Sequence, residues 1–185
     1  LHIPLIYSER NDPNRTNQRQ SDRLYRKIVE KNTDKIVFQT TGAQQCYSRK
    51  IQKKSTVILN PLDTTGFPIH NFLCEKKEIV SIGRLEPQKN QKLLIKAFSL
   101  IAEELPDYSL AIYGEGSLRE YLENYIKSKN LEDRVLLPGV KENVQEYIKD
   151  ASLFVLSSDY EGIPNALIEA MAIGLPCVST DCSPG

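Results

Sequence analysis

The sequence predicts an α/β fold in which a parallel sheet is flanked by helices. From residue 78 onward, short apolar runs alternate with amphipathic helical patterns, which is typical of βαβ units. The segment Leu153–Leu156 is apolar at every position, as expected for a parallel strand buried on both faces. The chain has 185 residues, of which 40% are hydrophobic, so it can bury the core of one domain or somewhat more.

The second part of the chain is predicted to hold five strands that alternate with four helices. Apolar residues in the first of these helices recur with the 3.6-residue period of an amphipathic helix. Pro164 suits the first turn of the last helix. This order predicts a Rossmann-like sheet, in which ligands bind beyond the carboxyl ends of the strands. The strands are 78–83, 108–113, 134–137, 153–156 and 176–180, and the helices are 90–105, 117–128, 143–149 and 164–173.

The first part of the chain predicts strands at 3–7, 35–39 and 56–59 and helices at 21–30 and 44–50, followed by a turn-rich stretch. Because the chain begins at Leu1 and ends directly after a strand and a turn, we expect it to be a piece of a longer protein. Three parts follow from this pattern. Residues 1–60 are predicted to be the C-terminal part of one α/β domain, residues 61–77 a linker, and residues 78–185 a second domain truncated at its end.

The composition excludes several classes of protein. There are 24 Lys and Arg against 24 Asp and Glu, so no overall basic field is available to hold nucleic acid. Charged residues interrupt every window of 18, which excludes the pattern of a transmembrane helix. Cys46, Cys74, Cys177 and Cys182 show no C-x-x-C spacing, which argues against a zinc site, and they are sparse for a disulfide scaffold. We expect free thiols and a cytoplasmic protein.

The net charge of zero is a cancellation between the two parts of the chain. Residues 1–54 hold 12 Lys and Arg against 5 Asp and Glu, whereas residues 55–185 hold 12 against 19. Arg15, Arg19 and Arg23 recur every four residues, as on one face of a helix. Such a face can rest on an anionic membrane or can simply be solvated, and the sequence leaves both interpretations open.

Two cations occupy the loop between the first strand and the first helix of the second domain. Arg84 and Lys89 lie five residues apart, and the amides at the start of the helix add partial positive charge. The planar fork of an arginine and the point charge of a lysine together suit a diphosphate. The alternative is a pair of solvated loop cations.

Glycine-containing turns follow the next two strands. Gly114 and Gly116 allow a ligand to approach the backbone, but Arg119 stands where a dinucleotide fingerprint needs its third glycine. A tight turn with a ligand role is therefore favoured over a nicotinamide site. Pro138 and Gly139 expose backbone groups that could contact the edge of a nucleobase, although a plain turn accounts for them equally well.

Two acids, Glu161 and Glu169, stand eight residues apart in the loop after the fourth strand and on the following helix. A carboxylate there can accept hydrogen bonds from sugar hydroxyls or stabilise a developing oxocarbenium charge. Gly162 keeps the loop backbone accessible, and the amides at the helix start point into the same cleft. The alternatives are an acid that complements the helix dipole and a metal site with Asp159, for which no further oxygen ligand is evident.

Taken in this order, the motifs resemble glycosyltransferase family 4, the retaining transferases of the GT-B fold. The resemblance is strong over residues 78–185 and looser over residues 1–61, and the ordered set is far more specific than any single motif. The matching segments are Ser8–Pro13, Val57–Pro61, Gly83-Arg84-Leu85, Gln88-Lys89-Asn90, Tyr113-Gly114-Glu115-Gly116, Leu137-Pro138-Gly139, Glu161-Gly162-Ile163-Pro164-Asn165, Glu169-Ala170, Gly174-Leu175-Pro176 and Thr180.

The resemblance implies a sugar transferase that uses a nucleotide-sugar donor, typically a UDP- or GDP-sugar, with no metal or other cofactor. Arg84 and Lys89 would hold the donor diphosphate and stabilise the leaving group. Glu161 would contact the donor sugar close to the anomeric carbon, and Glu169 would bond the ribose hydroxyls. The other donor-binding positions would be Gly114, Gly139, Val140, Gly162, Ile163, Pro164 and Asn165.

The resemblance also implies a glycan or lipid-linked acceptor and a role in bacterial surface-polysaccharide or glycan synthesis, in the cytoplasm or peripherally on the inner face of the plasma membrane. Because most of the acceptor-side domain is absent, we expect the chain alone to bind nucleotide weakly and to transfer no sugar. Two alternatives are a nucleotide-sugar epimerase of GT-B architecture, which needs no acceptor, and a non-catalytic nucleotide-sugar-binding module. Loss of Arg84, Lys89 or Glu161 would mark such a module, and all three are present.

Overall fold

The computed structural model describes residues 3–13, 20–73 and 76–183, and the chain divides into two compact units. Residues 62–73, which lie within the predicted linker, group with the second unit. The first unit comprises Leu1–Pro61, Tyr160–Pro164 and Cys182–Gly185, and the second comprises Leu62–Asp159 and Asn165–Asp181.

The first unit contains a three-stranded parallel sheet with the strand order β1-β2-β3. Its elements are β1 (Ile6–Glu9), α1 (Gln20–Asn32), β2 (Lys35–Phe38), α2 (Thr41–Gln45), α3 (Arg49–Gln52) and β3 (Ser55–Val57). The buried core of this unit is small and consists of Ile36, Phe38, Ala43, Tyr47 and Ile51.

The single helix predicted over 44–50 is wrong, because two short helices stand in its place. Thr40 begins α2, since its side-chain oxygen accepts a hydrogen bond from the Ala43 amide at 3.0 Å. Ser48 is extended and precedes α3. Between the two helices Tyr47 is buried, and its ring packs edge-on against Phe38 with 4.7 Å between centroids. Tertiary packing thus overrides the local helical pattern.

The second unit contains a five-stranded parallel sheet with the strand order β6-β5-β4-β7-β8, which confirms the predicted fold class. The order reverses between β4 and β7, and ligands of open α/β sheets bind at such a switch point. The elements are β4 (Lys76–Ile82), one turn of 3-10 helix (Pro87–Lys89), α4 (Gln91–Ile101), β5 (Ser109–Tyr113), α5 (Arg119–Lys127), β6 (Val135–Gly139), α6 (Val144–Ile148), β7 (Ala151–Leu156), α7 (Asn165–Ile173) and β8 (Cys177–Ser179).

The core of the second unit forms where the central strands meet the apolar face of α4. Leu94 and Phe98 are buried at the four-residue spacing that puts them on one side of that helix. The strands contribute residues that are buried on both faces of the sheet. The buried members of this core are Ile79, Leu85, Leu94, Ile95, Phe98, Ala102, Leu110, Ile112, Leu122, Ile126, Leu131 and Val135.

Helix α4 ends at Ile101, before the predicted boundary at residue 105. Arg134 holds the segment that follows the helix. The Arg134 guanidinium donates through Nη2 to the Leu105 carbonyl and through Nε to the Tyr108 carbonyl, each at 2.6 Å. A cation beside carbonyl groups that follow a helix C-terminus is favourable, because those groups carry partial negative charge. The residue directly before β6 therefore fixes the connection between α4 and β5.

The described part of the chain holds no helix with the length and apolar character needed to cross a membrane. Cys177 and Cys182 carry free thiols, and burial raises the pKa of the Cys177 thiol. Cys74, and Arg15 and Arg19 of the basic series, lie outside the described residues.

Candidate functional site

The loops after β4, β5 and β6 are joined to one another by main-chain hydrogen bonds at the carboxyl edge of the sheet. The Gly83 amide donates to the Tyr113 carbonyl at 3.0 Å, and the Gly114 amide donates to the Gly139 carbonyl at 2.9 Å. The Leu85 amide donates to the Glu115 carbonyl, also at 2.9 Å. The three strand ends are therefore held in fixed positions by main-chain groups that every residue except proline retains.

Two of the predicted glycines are required by this close approach of backbones. Gly114 has a φ of +145°, and a Cβ added to it would lie 2.1 Å from the Gly83 carbonyl oxygen. A Cβ on Gly116 would lie 2.4 Å from the Leu85 carbonyl oxygen. The tight-turn interpretation of these glycines thus has a direct cause in the packing of neighbouring loops, and their contact with a ligand stays a prediction.

An open pocket of about 230 Å³ lies at this edge and brings together three residues that the sequence predicted to bind the donor: Arg84, Gly114 and Val140. The Arg84 side chain is exposed, and Val140 is 71% exposed, so both present their side chains to solvent. The complete lining is Ile82, Gly83, Arg84, Tyr113, Gly114, Glu115, Val140, Lys141 and Val144. An apolar lining with a few charged groups is typical of pockets that bind small molecules.

Acidic side chains around the pocket are engaged with partners of their own. The Glu115 carboxylate accepts a hydrogen bond from Arg119 Nε at 2.7 Å, which holds the pKa of Glu115 below its usual value. Glu86 accepts hydrogen bonds from the Ser117 amide and hydroxyl, which likewise lower its pKa. The lowered pKa values favour the ionised form of both carboxylates, and the Glu86–Ser117 bonds also join the loop after β4 to the loop after β5.

Arg119 has a structural role that its place in the sequence did not indicate. It occupies the position that breaks a dinucleotide fingerprint, and its guanidinium bridges Glu115 to the Leu137 carbonyl, the latter at 3.2 Å. The bridge connects the β5–α5 turn to β6. Only the contact across the sheet edge reveals this role, because Leu137 is distant from Arg119 in sequence.

Lys89 lies in the same loop as Arg84 but is not among the residues that line the pocket. Its aliphatic stem passes over Gly83, where an added Cβ would lie 3.3 Å from Lys89 Cδ. The Lys89 carbonyl accepts a hydrogen bond from the Ser157 hydroxyl at 2.9 Å, so the loop after β4 is attached to the end of β7. This attachment spans the switch point of the strand order.

A second bond across the switch point involves Asp159. Its Oδ1 atom accepts a hydrogen bond from Asn90 Nδ2 at 2.7 Å, and its amide donates to the Gln88 carbonyl at 2.9 Å. Asn90 itself has a left-handed φ of 44° and caps α4 through its side-chain oxygen. Among residues 3–13, 20–73 and 76–183, no group of three or more His, Cys, Asp and Glu side chains is arranged to hold a metal ion.

Glu169 lies on α7 and is held by a residue that sequence analysis did not single out. Its Oε2 atom accepts a hydrogen bond from Gln145 Nε2 of α6 at 3.0 Å. No sequence motif marks Gln145, since it acts only because α6 packs beside α7. Asn165, another predicted donor-binding residue, is exposed at the first position of α7.

The predicted sugar-binding loop Tyr160–Pro164 groups with the first unit. Glu161 is only 6% exposed, and its amide donates to the Cys182 carbonyl at 2.6 Å. Gly162 is buried so closely against the loop after β1 that an added Cβ would lie 2.1 Å from the Arg10 carbonyl oxygen. The Gly162 carbonyl accepts a hydrogen bond from the Ser183 hydroxyl at 2.7 Å, and Ile163 and Pro164 are half-buried.

Comparison with known families gives a match over most of this chain. Residues 64–185 match the family described as "Glycosyl transferases group 1". An uncharacterized glycosyltransferase of Methanocaldococcus jannaschii is 34% identical over 160 residues, which cover 86% of this chain and 38% of that protein. The N-acetylgalactosamine-N,N'-diacetylbacillosaminyl-diphospho-undecaprenol 4-alpha-N-acetylgalactosaminyltransferase of Campylobacter jejuni is 35% identical over 136 residues, covering 72% of this chain and 36% of that protein.

Among solved structures, Anabaena Alr3699/HepE in complex with UDP and glucose superposes with a TM-score of 0.82. The sequence identity is 19%, and the match covers 98% of this chain and 54% of that one. The likeness is one of fold and agrees with the GT-B architecture. This chain therefore spans between about a third and a half of the length of the proteins it resembles.

Proposed function

The chain belongs to the group 1 glycosyl transferases, and we propose that it supplies the donor site of an enzyme that transfers a sugar from a nucleotide-sugar to an acceptor with retention of anomeric configuration. One observation carries the proposal. Arg84, Gly114 and Val140, predicted independently of any structure to bind the donor, line one pocket at the carboxyl edge of the sheet.

The diphosphate is assigned to Arg84 and Lys89. Arg84 reaches the pocket from a loop whose backbone is fixed by bonds to its neighbours, so its guanidinium needs little reorganisation to pair with phosphate oxygens. Lys89 follows in the same loop with its stem over Gly83. As cations, both stabilise the negative charge that develops on a departing nucleoside diphosphate.

The nucleoside is assigned to Val140 and Glu169 of the second unit. Val140, close to the carboxyl end of β6, offers apolar surface to the base, and the Glu169 carboxylate, oriented by Gln145, accepts from the ribose hydroxyls. A UDP-sugar is the first donor to test, because the Anabaena protein of similar fold binds UDP and glucose. A GDP-sugar is the second candidate.

The transferred sugar is assigned to Glu161, with the main chain of Gly162 to Asn165 beside sugar and phosphate. A carboxylate near the anomeric carbon stabilises positive charge on the ring as the leaving group departs. Membership of the family 4 group, retention of configuration and independence from metal ions are parts of the same proposal. Turnover that is unchanged by a chelator such as EDTA is the expected result.

We assign the acceptor to the class of lipid-linked glycans in bacterial surface-polysaccharide or glycan synthesis. The Campylobacter relative is named for an acceptor carried on diphospho-undecaprenol, which supports this class. A cytoplasmic enzyme working on such acceptors would meet the inner face of the plasma membrane. A screen of the full-length protein against lipid-linked and soluble glycan acceptors tests the assignment.

A peripheral membrane contact is proposed for α1. Arg23 and Lys27 lie on this helix beside Leu24 and Ile28, which are 61% and 53% exposed. Basic and apolar groups on one helix suit an anionic bilayer surface. When vesicles of anionic lipid are sedimented at low salt, the full-length protein should be found in the pellet with them. Absence of binding would remove this part of the proposal.

The central experiment measures sugar transfer by the full-length protein with a panel of nucleotide-sugars. Glu161→Ala is expected to lower turnover at least about 100-fold, because a charge-stabilising group is lost. The matched control is Glu132→Ala, an exposed acid after α5, which should leave turnover unchanged. Transfer at the wild-type rate by Glu161→Ala would contradict the role of Glu161.

Product analysis separates transfer from the alternative activities. Transfer requires an acceptor, whereas an epimerase converts the donor without one, and a binding module releases no nucleoside diphosphate under either condition. For the present chain alone, calorimetry should show weak donor binding and a donor-hydrolysis assay should show no turnover. The reason is that this chain spans only 38% and 36% of the two relatives. Robust turnover by this chain would contradict that expectation.

A further inference from the structure

Gln91, the first residue of α4, holds the main chain of Arg84. Its side chain is 2% exposed, and its Nε2 atom donates to the Arg84 carbonyl at 2.7 Å. The other end of the same amide is not satisfied: within the described ranges 3–13, 20–73 and 76–183, the buried Oε1 atom has no hydrogen-bond partner. A buried glutamine with one satisfied end is uncommon in native proteins and calls for an explanation.

The bond from Gln91 completes the fixation of the backbone at Arg84. The Arg84 carbonyl also accepts from the Glu86 amide at 2.8 Å, which closes a tight turn around Leu85. Leu85 is fully buried, and its amide donates to the Glu115 carbonyl. The backbone is therefore held from three sides while the Arg84 side chain stays exposed at the pocket.

Stability alone does not account for a glutamine at this position. An apolar side chain of similar size would remove the unsatisfied Oε1 together with its desolvation cost, which is larger than the net return of one hydrogen bond. The Arg84 carbonyl would keep its bond from the Glu86 amide. Proteins accept such local costs at functional sites, where hydrogen bonds hold a functional side chain in a fixed geometry.

We propose that Gln91 is a positioning residue that acts through the main chain of Arg84 and sets the direction in which the guanidinium meets the donor diphosphate. The inference rests on the proposed role of Arg84. An arginine pairs with phosphate through a planar fork, so its contribution depends on orientation as well as distance. A shift of its backbone by a fraction of an ångström weakens that pairing without removing the charge.

The test uses Gln91→Met and Gln91→Leu in the full-length protein, with UDP as the ligand for calorimetry and the best UDP-sugar for kinetics. Both variants should keep or raise the Tm, because an unsatisfied buried acceptor is removed. The Kd for UDP should rise about tenfold, and kcat/KM should fall by at least the same factor. The matched control is Gln44→Met, which removes the side-chain bond of another glutamine, to Ser55, and should change neither quantity.

A double-mutant cycle with Arg84→Ala separates the failure of this inference from failure of the proposed function. If Gln91 acts through Arg84, Gln91→Met has no further effect on UDP affinity once Arg84 is alanine. UDP affinity unchanged in Arg84→Ala itself would refute the assigned role of Arg84. Wild-type affinity in Gln91→Met, a lower Tm in both Gln91 variants, or an equal loss of affinity with and without Arg84 would overturn the positioning role.

Discussion

The two units fix the carboxyl ends of their parallel strands by different means. In the second unit the loops after β4, β5 and β6 are joined by main-chain hydrogen bonds, and glycines allow the backbones to approach. In the first unit the end of β1 carries a buried carboxylate, Glu9, which accepts hydrogen bonds from two tyrosine hydroxyls and from the Asn11 amide. Its Oε2 atom accepts from the Tyr47 hydroxyl at 2.9 Å and from the Tyr7 hydroxyl at 3.3 Å.

The side-chain cluster around Glu9 is sensitive to ionisation. Burial, and then the negative charge of Glu9, raise the pKa of Tyr47 and also raise the pKa of Tyr7 to about 12. The Arg26 guanidinium lies over the Tyr47 ring, 3.5 Å from its centroid, and acts in the opposite direction. The tyrosines must stay protonated, because only a neutral hydroxyl can donate to the carboxylate.

The two kinds of network should respond differently to substitution and to pH. A main-chain network has no titrating group and tolerates most side-chain substitutions, but it cannot accept a Cβ where two backbones touch. A side-chain network is the reverse: it depends on individual hydroxyls and on pH.

Gly114→Ala should be the most damaging of these substitutions. Its Cβ would lie 2.1 Å from the Gly83 carbonyl oxygen in a backbone conformation that alanine rarely adopts, so we expect a loss of more than about 3 kcal/mol in the free energy of unfolding. Gly66→Ala is the matched control, because Gly66 also has a positive φ but no atom within 4 Å. Its cost should be about 1 kcal/mol. Equal losses in urea unfolding would contradict the close-approach explanation.

Tyr47→Phe should have the next largest effect and should act on the first unit. It removes the hydroxyl that donates to Glu9 and leaves a buried carboxylate with fewer donors, at an expected cost of about 1–3 kcal/mol. Tyr121→Phe, on the exposed face of α5, serves as the control and should change stability little. The measurement is the midpoint of urea unfolding of the two variants at pH 7. An unaltered midpoint in Tyr47→Phe would show that its bond to Glu9 does not stabilise the fold.

Gly83→Ala should affect donor binding more than stability. Its Cβ would lie 3.3 Å from Lys89 Cδ, the flexible part of a side chain, so the fold can adjust by moving Lys89. Displacement of that cation should raise the Kd for UDP about threefold to tenfold with the Tm nearly unchanged. A large fall in Tm without change in Kd would show that Gly83, like Gly114, is needed only for the close approach of backbones.

The smallest effect is a decline in stability at high pH. The raised pKa of Tyr7 means that the unfolded chain loses this proton near pH 10, before the folded chain does. The stabilising contribution is complete below pH 10 and disappears as the pH rises through about 12. Tyr7→Phe should reduce this decline in urea unfolding measured between pH 8 and 12 without abolishing it, because the pKa of Tyr47 is also raised, whereas Tyr121→Phe should leave it unchanged. A decline of the same size in Tyr7→Phe would assign it to other groups.

Local sequence patterns predicted the secondary structure well where an element is stabilised by its own residues. The apolar runs at 78–83 and 153–156 became β4 and β7, and the 3.6-residue period at 90–105 became α4. The predicted helix bounds were wrong where a residue distant in sequence contacts the chain. Tyr47 interrupts the helix predicted at 44–50 by packing on Phe38, and the chain after α4 follows carbonyl contacts with Arg134.

Some features of the candidate site were also predictable from the sequence, whereas others depend on packing. Residue type and spacing singled out Arg84, Lys89, Gly114, Glu161 and Glu169 as candidates, because charge and backbone freedom are properties of single residues. The resemblance to a family assigned their roles and added Val140. Packing brings Arg84, Gly114 and Val140 to one pocket. It also places Gln91, Gln145 and Arg119 where their side chains hold neighbouring groups. Those roles depend on hydrogen bonds across strands and helices, and a directional contact of that kind exists only after the elements have packed.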